Sequence, residues 1–304
     1  MKKILISVLS IAAVGVVAFA ATQAFFSDTE TSVGNTFAAG AIDLKIDNTS
    51  YALDSNLGVG VSNPQGTLVA SKNTSWTLRD LTVEKFFDFT DLKPGDYGED
   101  TISIHVNDND AWLCAATQVT QDTDETCVDP ELDDDPTCGD PDNGELDSQV
   151  NFAFWKDDGD NVLENDEVES VFLSGPISGL DGSGQIALAD SSGGPLSGPG
   201  PGPSPIHGST DVFIGKAWCF GTLSPTPITQ DGVNTSNPTV LGTGFGCDGS
   251  AVNNASQTDM VVGDLQFYAV QSRNNSDFLC GKDYKPVWPS PSPSPSPTPE
   301  PTGT

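Results

Sequence analysis

The sequence predicts an all-β protein, specifically a jelly-roll-like antiparallel β-sandwich with long loop insertions. Apolar and polar residues alternate with period two in several segments, as they do in half-buried strands. The chain contains 31 Gly and 22 Pro, which favour turns over helices. No long segment combines a helical apolar stripe with caps, although a short helix near Thr82–Phe87 is compatible with its sequence. The clearest alternations lie at 42–46, 102–106, 150–154, 211–214 and 265–269.

The amino end predicts export. Lys2 and Lys3 precede the apolar run Ile4–Ala21, and cleavage between Ala24 and Phe25 would remove this signal peptide, residues 1–24. An uncleaved membrane anchor is the alternative, because the run reaches the lower limit of a spanning length. The protein is therefore expected to be secreted, either at the cell surface or in an extracellular matrix.

The net charge limits the partners that the protein can bind. The formal net charge of −31 becomes −33 once Lys2 and Lys3 leave with the signal peptide. Such a negative field repels nucleic acids and anionic lipids and attracts divalent cations. No nucleic-acid partner is expected.

The cysteines predict three disulfides, because an even number in an exported chain is typical of a disulfide framework. A metal–thiolate site is the alternative, but the chain contains no CxxC pair. The sequence leaves the pairing open. A repeated Trp-linked cysteine suggests the pairs 114–127 and 219–247, with 138–280 remaining. The six residues are Cys114, Cys127, Cys138, Cys219, Cys247 and Cys280.

Residues 25–285 are predicted to form one sandwich domain with two insertions. Residues 121–147 contain 12 acidic residues and no Lys or Arg, which is typical of a solvated loop. Residues 190–209 are rich in Gly, Pro and Ser and are interpreted as a long loop, or as a boundary between two lobes. Residues 286–304 are expected to form a disordered, extended tail, because Pro alternates with Ser, Thr or Glu from Pro289 to Pro301.

A cluster of oxygen-bearing side chains surrounds Gly159 and predicts a calcium site. Ca²⁺ prefers six to eight oxygen ligands, and a glycine lets a short loop curl round the ion. The spacing differs from that of an EF-hand, so the site would be a shorter loop. An acidic hairpin turn between two strands is the alternative. The candidate ligands are Asp157, Asp158, Asp160, Asn161, Glu164 and Glu167.

The sequence favours a protein that is not an enzyme. The two histidines are His105, in a strand-like run, and His207, and the HExxH, GxSxG and P-loop motifs are absent. A Ser-His-Asp arrangement stays open, because its members can be distant in the chain. A catalytic base must be held rigidly, and His207 lies within the Gly/Pro-rich insertion.

The mature amino end resembles the TasA/camelysin family. The matching residues are Phe25-Phe26-Ser27-Asp28-Thr29-Glu30, the run Gly34–Leu44 with its N-T-F-x-A-G-x-x-D-L pattern, and the turn Asp91–Asp96. Signal peptides in that family are removed by a dedicated SipW-type signal peptidase. The six cysteines and the Pro-rich tail depart from the best-known members, and the middle of the chain carries no family motif.

The resemblance implies a biofilm-matrix protein that polymerises head-to-tail, with the N-terminal strand of one subunit completing a sheet of the next. Phe25, Phe26, Val33 and Phe37 would be the apolar residues of this donor strand. The alternative is an ordinary first strand that folds back onto its own domain. Cell wall or other matrix components are further expected partners. A camelysin-like secreted metallopeptidase and a monomeric surface adhesin are the alternative functions.

Overall fold

A computed structural model of the chain describes residues 27–32, 36–38, 42–57, 66–107, 109–180, 184–198, 202–229 and 237–288. The strands in this part of the chain are β1 (Ser27–Ser32), β2 (Thr36–Ala38), β3 (Leu44–Leu53), β4 (Leu68–Ala70), β5 (Trp76–Arg79), β6 (Tyr97–Val106), β7 (Ala111–Asp124), β8 (Val150–Asp157), β9 (Val171–Pro176), β10 (Gln185–Ala189), β11 (Thr210–Phe220), β12 (Thr222–Pro225), β13 (Phe245–Asp248) and β14 (Asp259–Gln271). Five one-turn helices connect them: α1 (Asp129–Leu132), α2 (Leu146–Gln149), α3 (Ile177–Leu180), α4 (Pro238–Leu241) and α5 (Cys280–Asp283). Three 3₁₀ turns lie at Asp54–Leu57, Val168–Ser170 and Ser272–Asn274.

The strands form two main sheets and one hairpin. A five-stranded sheet has the order β10-β7-β14-β1-β2. A seven-stranded sheet has the order β4-β3-β6-β11-β8-β9, with β5 also paired to β3. Strands β12 and β13 form the separate hairpin, and every pairing between these strands is antiparallel. The predicted all-β sandwich is confirmed.

The core lies between the two sheets. Ile102 and Ile214 of the seven-stranded sheet share one buried cluster with Leu113 and Phe267 of the five-stranded sheet. Phe86, from the segment before β6, meets the Phe267 ring edge-on at 6.2 Å. Removal of these side chains from water is the main force that holds the two layers together.

The predicted strands are confirmed, and the segment Thr82–Phe87, whose sequence was compatible with a short helix, forms no helix. In this segment Glu84 Oε2 accepts hydrogen bonds from the backbone N–H groups of Thr82 at 2.6 Å and Val83 at 2.9 Å. These local bonds hold the backbone in a turn that competes with helix formation. The turn leaves Phe86 buried in the core.

Three disulfides are present, and no free cysteine occurs in the described chain. The expected pair Cys219–Cys247 is confirmed, with Cα atoms 5.5 Å apart. The other two expected pairs are wrong, because the bonds join Cys114 to Cys280 and Cys127 to Cys138. Strand β14 pairs with β7, so the chain that follows it returns beside Cys114. Three disulfides indicate an oxidising, extracellular compartment.

Most residues of the acidic insertion 121–147 are exposed, as in a solvated loop, and the Cys127–Cys138 disulfide closes it, but part of it is folded and buried. It starts within β7, contains α1 and the start of α2, and buries Asp124, Glu131 and Asp135. The Gly/Pro-rich insertion 190–209 also returns to the core, where Leu196 and Ile206 are buried.

The two ends of the described chain border the five-stranded sheet. β1 pairs with β14, and Val287, two residues past the expected domain boundary, accepts a hydrogen bond from Gln266 at 3.1 Å. The predicted signal peptide, Phe25, Phe26, Val33 and the tail from 289 onward lie outside the described residues. Within the described residues, no helix has the length and apolar character needed to cross a membrane.

Candidate metal centre

The predicted calcium ligands converge on the outer face of the seven-stranded sheet, in the loop between β8 and β9. One oxygen each from Asp157, Asp158 and Asp160 lies within 4.8 Å of the others, and Asp158 forms a second such group with Glu164 and Glu167. Asp158 therefore joins five carboxylates into one cluster. Asn161, the sixth predicted residue, is buried, and its Oδ1 has no hydrogen-bond partner among the described residues.

The floor of this centre is the Trp155 indole. Trp155 is fully buried on β8 and pairs in register with Gly215 of β11. A Cβ at position 215 would lie 2.1 Å from the indole ring, so only glycine lets Trp155 lie against the sheet. The indole Nε1 donates to Asp157 Oδ1 at 3.1 Å, which orients the first carboxylate of the loop.

The backbone of the loop curls tightly around its carboxylates. Gly159 and Asn161 both have a left-handed backbone, with φ of +110° and +69°. The N–H of Gly159 donates to Asp157 Oδ2 at 3.0 Å, and the N–H of Val162 donates to Asp160 Oδ1 at 3.0 Å. Backbone N–H groups thus bind one oxygen each of Asp157 and Asp160. The other oxygen of Asp160, Oδ2, is buried without a hydrogen-bond partner among the described residues.

The far side of the loop is attached to distant parts of the chain. The N–H of Leu163 donates to the carbonyl of Thr243 at 3.0 Å, and the N–H of Asn165 donates to that of Ile228 at 3.0 Å. The Cys219–Cys247 disulfide also links β11 to β13, the strand that follows Thr243 in the chain. Because β8 and β9 pair antiparallel, this segment is also the acidic hairpin connection of the alternative interpretation.

Glu99, a residue that the sequence did not single out, lies close enough to this centre to interact electrostatically with Asp157 and Asp160. It is fully buried on β6, and neither carboxylate oxygen has a hydrogen-bond partner among the described residues. It shares a strand face with Thr101, whose hydroxyl donates to Asp157 Oδ2 at 2.8 Å. The alternation of β6 places Glu99 on the polar face of the strand. Period-two alternation predicts that this face is exposed to solvent, so no local signal indicates the burial of Glu99.

Burial and mutual repulsion raise the pKa values of these carboxyl groups. Burial, followed in effect by neighbouring carboxylates, raises the pKa of Asp160 to about 7 and that of Glu167 to about 8. Burial also raises the pKa of Asp157 to about 6. The pKa of Glu99 lies well above its usual value, first because of burial and then because of Asp157. Buried carboxylates without a cation must take up protons, whereas a bound cation would keep them ionised.

The donor set fits a hard divalent cation. It consists of carboxylate and amide oxygens in a glycine-containing loop, which suits Ca²⁺. Histidine is absent from the potential ligand groups in the described part of the chain. His105 instead lies between Asp47 at 2.9 Å and Asp211 at 2.6 Å, and His207 lies 3.5 Å from Asp110.

Comparison of the chain with protein-family models, curated proteins and solved structures returned no match. The chemistry of the centre therefore follows from its own residues.

Without divalent cations, the protein is expected to become less stable as the pH rises from about 5 to about 8. The carboxyl groups of Asp157, Asp160 and Glu167 have folded-state pKa values of about 6 to about 8, against about 4 in an unfolded chain. The native state therefore binds more protons in this window, and the free energy of unfolding falls with rising pH. Thermal melting in a chelator at several pH values checks this. A melting temperature that stays constant or rises across the window would contradict it.

Proposed function

We propose that this protein is an exported structural subunit of the cell surface or extracellular matrix. It polymerises by donating its N-terminal strand to the next subunit, and calcium in the centre between β8 and β9 rigidifies the sandwich. The resemblance of the mature amino end to the TasA/camelysin family supports this proposal. The three disulfides, which suit a protein that works outside the cell, support it as well.

The observation that carries the proposal is the place of β1 in the five-stranded sheet. All six residues of β1 pair with β14, from Ser27 opposite Val270 to Ser32 opposite Leu265. In the described structure the backbone of β1 pairs only with β14 and with the three-residue strand β2. Withdrawal of the β1–β2 hairpin would expose the full edge of β14. The β1 strand of another copy could then form the same hydrogen bonds.

The donor differs in detail from the sequence-based expectation. Phe37 lies on β2, which turns back against β1, and not on the strand that would pair with the next subunit. Phe25, Phe26 and Val33 lie outside the described residues. In this structure the segment pairs with its own domain, which was the alternative arrangement. Donation therefore requires the hairpin to exchange between copies, as in domain swapping.

The acceptor side of the sheet is rigid. Strands β7 and β14 pair along thirteen residue positions, and the Cys114–Cys280 disulfide joins β7 to the segment that follows β14. This bond keeps the β14 edge in place when β1 leaves. Head-to-tail addition of the hairpin to this edge would produce filaments if successive additions do not close into a ring.

The experiment locks β1 to its own domain. Asp28 and Ala269 pair directly in register, so the double substitution Asp28→Cys/Ala269→Cys would join β1 to β14 within one chain on oxidation. The mature chain beginning at Phe25 is expected to form filaments in negative-stain microscopy. The locked variant is expected to stay monomeric, and the matched Asp28→Ser/Ala269→Ser control is expected to polymerise.

Two outcomes would overturn strand donation. One is a locked variant that forms filaments as readily as the serine control, and the other is a chain without residues 25–37 that still polymerises. A chain that never polymerises, and whose surface retention depends on residues 286–304, would instead support the adhesin alternative. No feature of the described residues favours the metallopeptidase alternative.

A further inference from the structure

A second group of carboxylates lies on the other sheet, where the acidic insertion folds back onto the start of β14. Asp124 ends β7, Glu131 lies in α1 and Asp259 begins β14. One oxygen from each of these three residues lies within 4.8 Å of the others. Asp124 and Asp259 are also directly opposite each other in the β7–β14 pairing. Two like charges in that position repel each other unless a cation lies between them.

Two carboxylates of this group are buried and the third, Asp259, is partly buried, and each presents an oxygen without a hydrogen-bond partner among the described residues. Asp124 is 4% exposed and Glu131 is 0% exposed. Asp124 Oδ2 accepts the N–H of Gly139, and Glu131 Oε2 accepts the N–H of Val128 at 3.1 Å. Asp124 Oδ1 and Glu131 Oε1 are buried and have no hydrogen-bond partner in the described structure. Buried polar atoms in native proteins nearly always have a partner, so these oxygens indicate a missing ligand.

Asp259 likewise has one carboxylate oxygen that accepts backbone hydrogen bonds and one that has no partner among the described residues. Its Oδ2 accepts the N–H groups of Glu145 at 2.6 Å and Leu146 at 3.1 Å. Its Oδ1 is buried and has no hydrogen-bond partner among the described residues. Three neighbouring carboxylates each have one more buried oxygen without a hydrogen-bond partner among the described residues: Asp122, Asp135 and Glu145.

No positive side chain compensates this charge. None of the ion pairs in the described structure involves these six carboxylates, and the insertion 121–147 contains no Lys or Arg. Burial first, and then the charges of Asp135 and Asp259, raise the pKa of Glu145 to about 7, which agrees with their closeness in the structure. Uncompensated charges of one sign inside a folded loop favour a bound cation.

We propose that Asp124, Glu131 and Asp259 are the central ligands of a second calcium site, which we name the insertion centre. Asp122, Asp135 and Glu145 complete its supply of oxygens. An all-carboxylate set suits Ca²⁺, which accepts six to eight oxygens in flexible geometry, better than Zn²⁺ or Mg²⁺. Cys127 and Cys138 are joined in a disulfide and are not thiolate ligands.

The insertion centre has a structural consequence. Bound calcium would neutralise the repulsion between the insertion and β14 and hold α1 against the sheet. Without it, the chain between Glu125 and Glu145 is expected to separate from β14, while the Cys127–Cys138 bond keeps the loop itself closed. Calcium in the insertion centre would thus hold the insertion on the five-stranded sheet, whereas the centre between β8 and β9 lies on the seven-stranded sheet.

The test uses the full mature chain and calcium alone. Isothermal titration calorimetry is expected to give two sites per chain. The double variant Asp124→Asn/Glu131→Gln keeps the side-chain shapes and is expected to give one site. Asp133→Asn is the matched control, because Asp133 is exposed in the same insertion, and it is expected to keep both. Asp160→Asn, in the first centre, is expected to remove the other site and leave the insertion centre occupied.

A second measurement reads the insertion directly. A glutamate-specific protease is expected to cut after Glu125 and Glu145 at least tenfold more slowly with calcium than with chelator, in the parent chain and in Asp160→Asn. In Asp124→Asn/Glu131→Gln the two rates are expected to be equal. Equal rates in the parent chain, or two sites retained in the double variant, would overturn the insertion centre. Neither result depends on whether the protein forms filaments.

Discussion

Replacing Lys216 by Met is expected to lower the free energy of unfolding by about 3–5 kcal/mol. Lys216 is fully buried between the two sheets, and its Nζ lies 2.7 Å from Asp100 Oδ1. The same ammonium donates to the carbonyl of Phe86 at 3.1 Å and lies 3.5 Å from the centre of the Phe87 ring. Burial lowers the pKa of Lys216, whereas Asp100 acts to raise it, so the pair depends on both partners.

The cost arises from the partner that remains. Without Lys216, Asp100 would be a buried carboxylate with no compensating charge, and burial already raises its pKa to about 6. The double variant Lys216→Met/Asp100→Asn removes both charges and is expected to recover more than half of the lost stability. Lys45→Met, at a partly exposed ion pair, is expected to change stability by less than about 1 kcal/mol.

Chemical denaturation of the four proteins measures these differences. If the free energy of unfolding of Lys216→Met lies within about 1 kcal/mol of that of the parent, the pair contributes little to stability. A double variant no more stable than the single one would show that packing around Phe86 and Phe87, and not the charge of Asp100, causes the loss.

Calcium is expected to stabilise the protein by about 2.7 kcal/mol when its free concentration is 100-fold above the dissociation constant of one site. For a domain of this size the corresponding rise in melting temperature is roughly 5–10 °C. The reason is that the cation binds carboxylates which, in its absence, must be protonated or repel one another. Thermal melting in chelator and in millimolar calcium measures the shift.

Glu99→Gln separates the first calcium centre from general charge screening. Glutamine keeps the shape of Glu99 without its charge, so the calcium-free variant is expected to be at least as stable as the parent at neutral pH. Its calcium-induced rise in melting temperature is expected to be smaller by the contribution of this centre. Asp166→Asn is the control, since Asp166 is exposed in the same loop, and it should keep the full rise. A full calcium response in Glu99→Gln would exclude Glu99 from the centre.

The sequence alone determined the elements whose signals are local. Period-two alternation located strands such as β6 and β8, because a half-buried sheet demands that pattern from consecutive residues. Six cysteines behind a predicted signal peptide were sufficient to predict three disulfides. The oxygen-rich stretch around Gly159 was sufficient to locate a cluster of carboxylates, because its members lie within eleven residues of one another.

Only the tertiary structure decided which distant residues meet. Glu99 joins Asp157 because β11 lies between β6 and β8 in the sheet, an order that no local pattern encodes. The pairing of Cys114 with Cys280, the burial of Lys216 against Asp100 and the folding of the acidic insertion onto Asp259 depend on strand order in the same way. Local propensity acts between neighbours in the chain. Burial and charge compensation act between neighbours in space, and the packing of the two sheets brings those neighbours together.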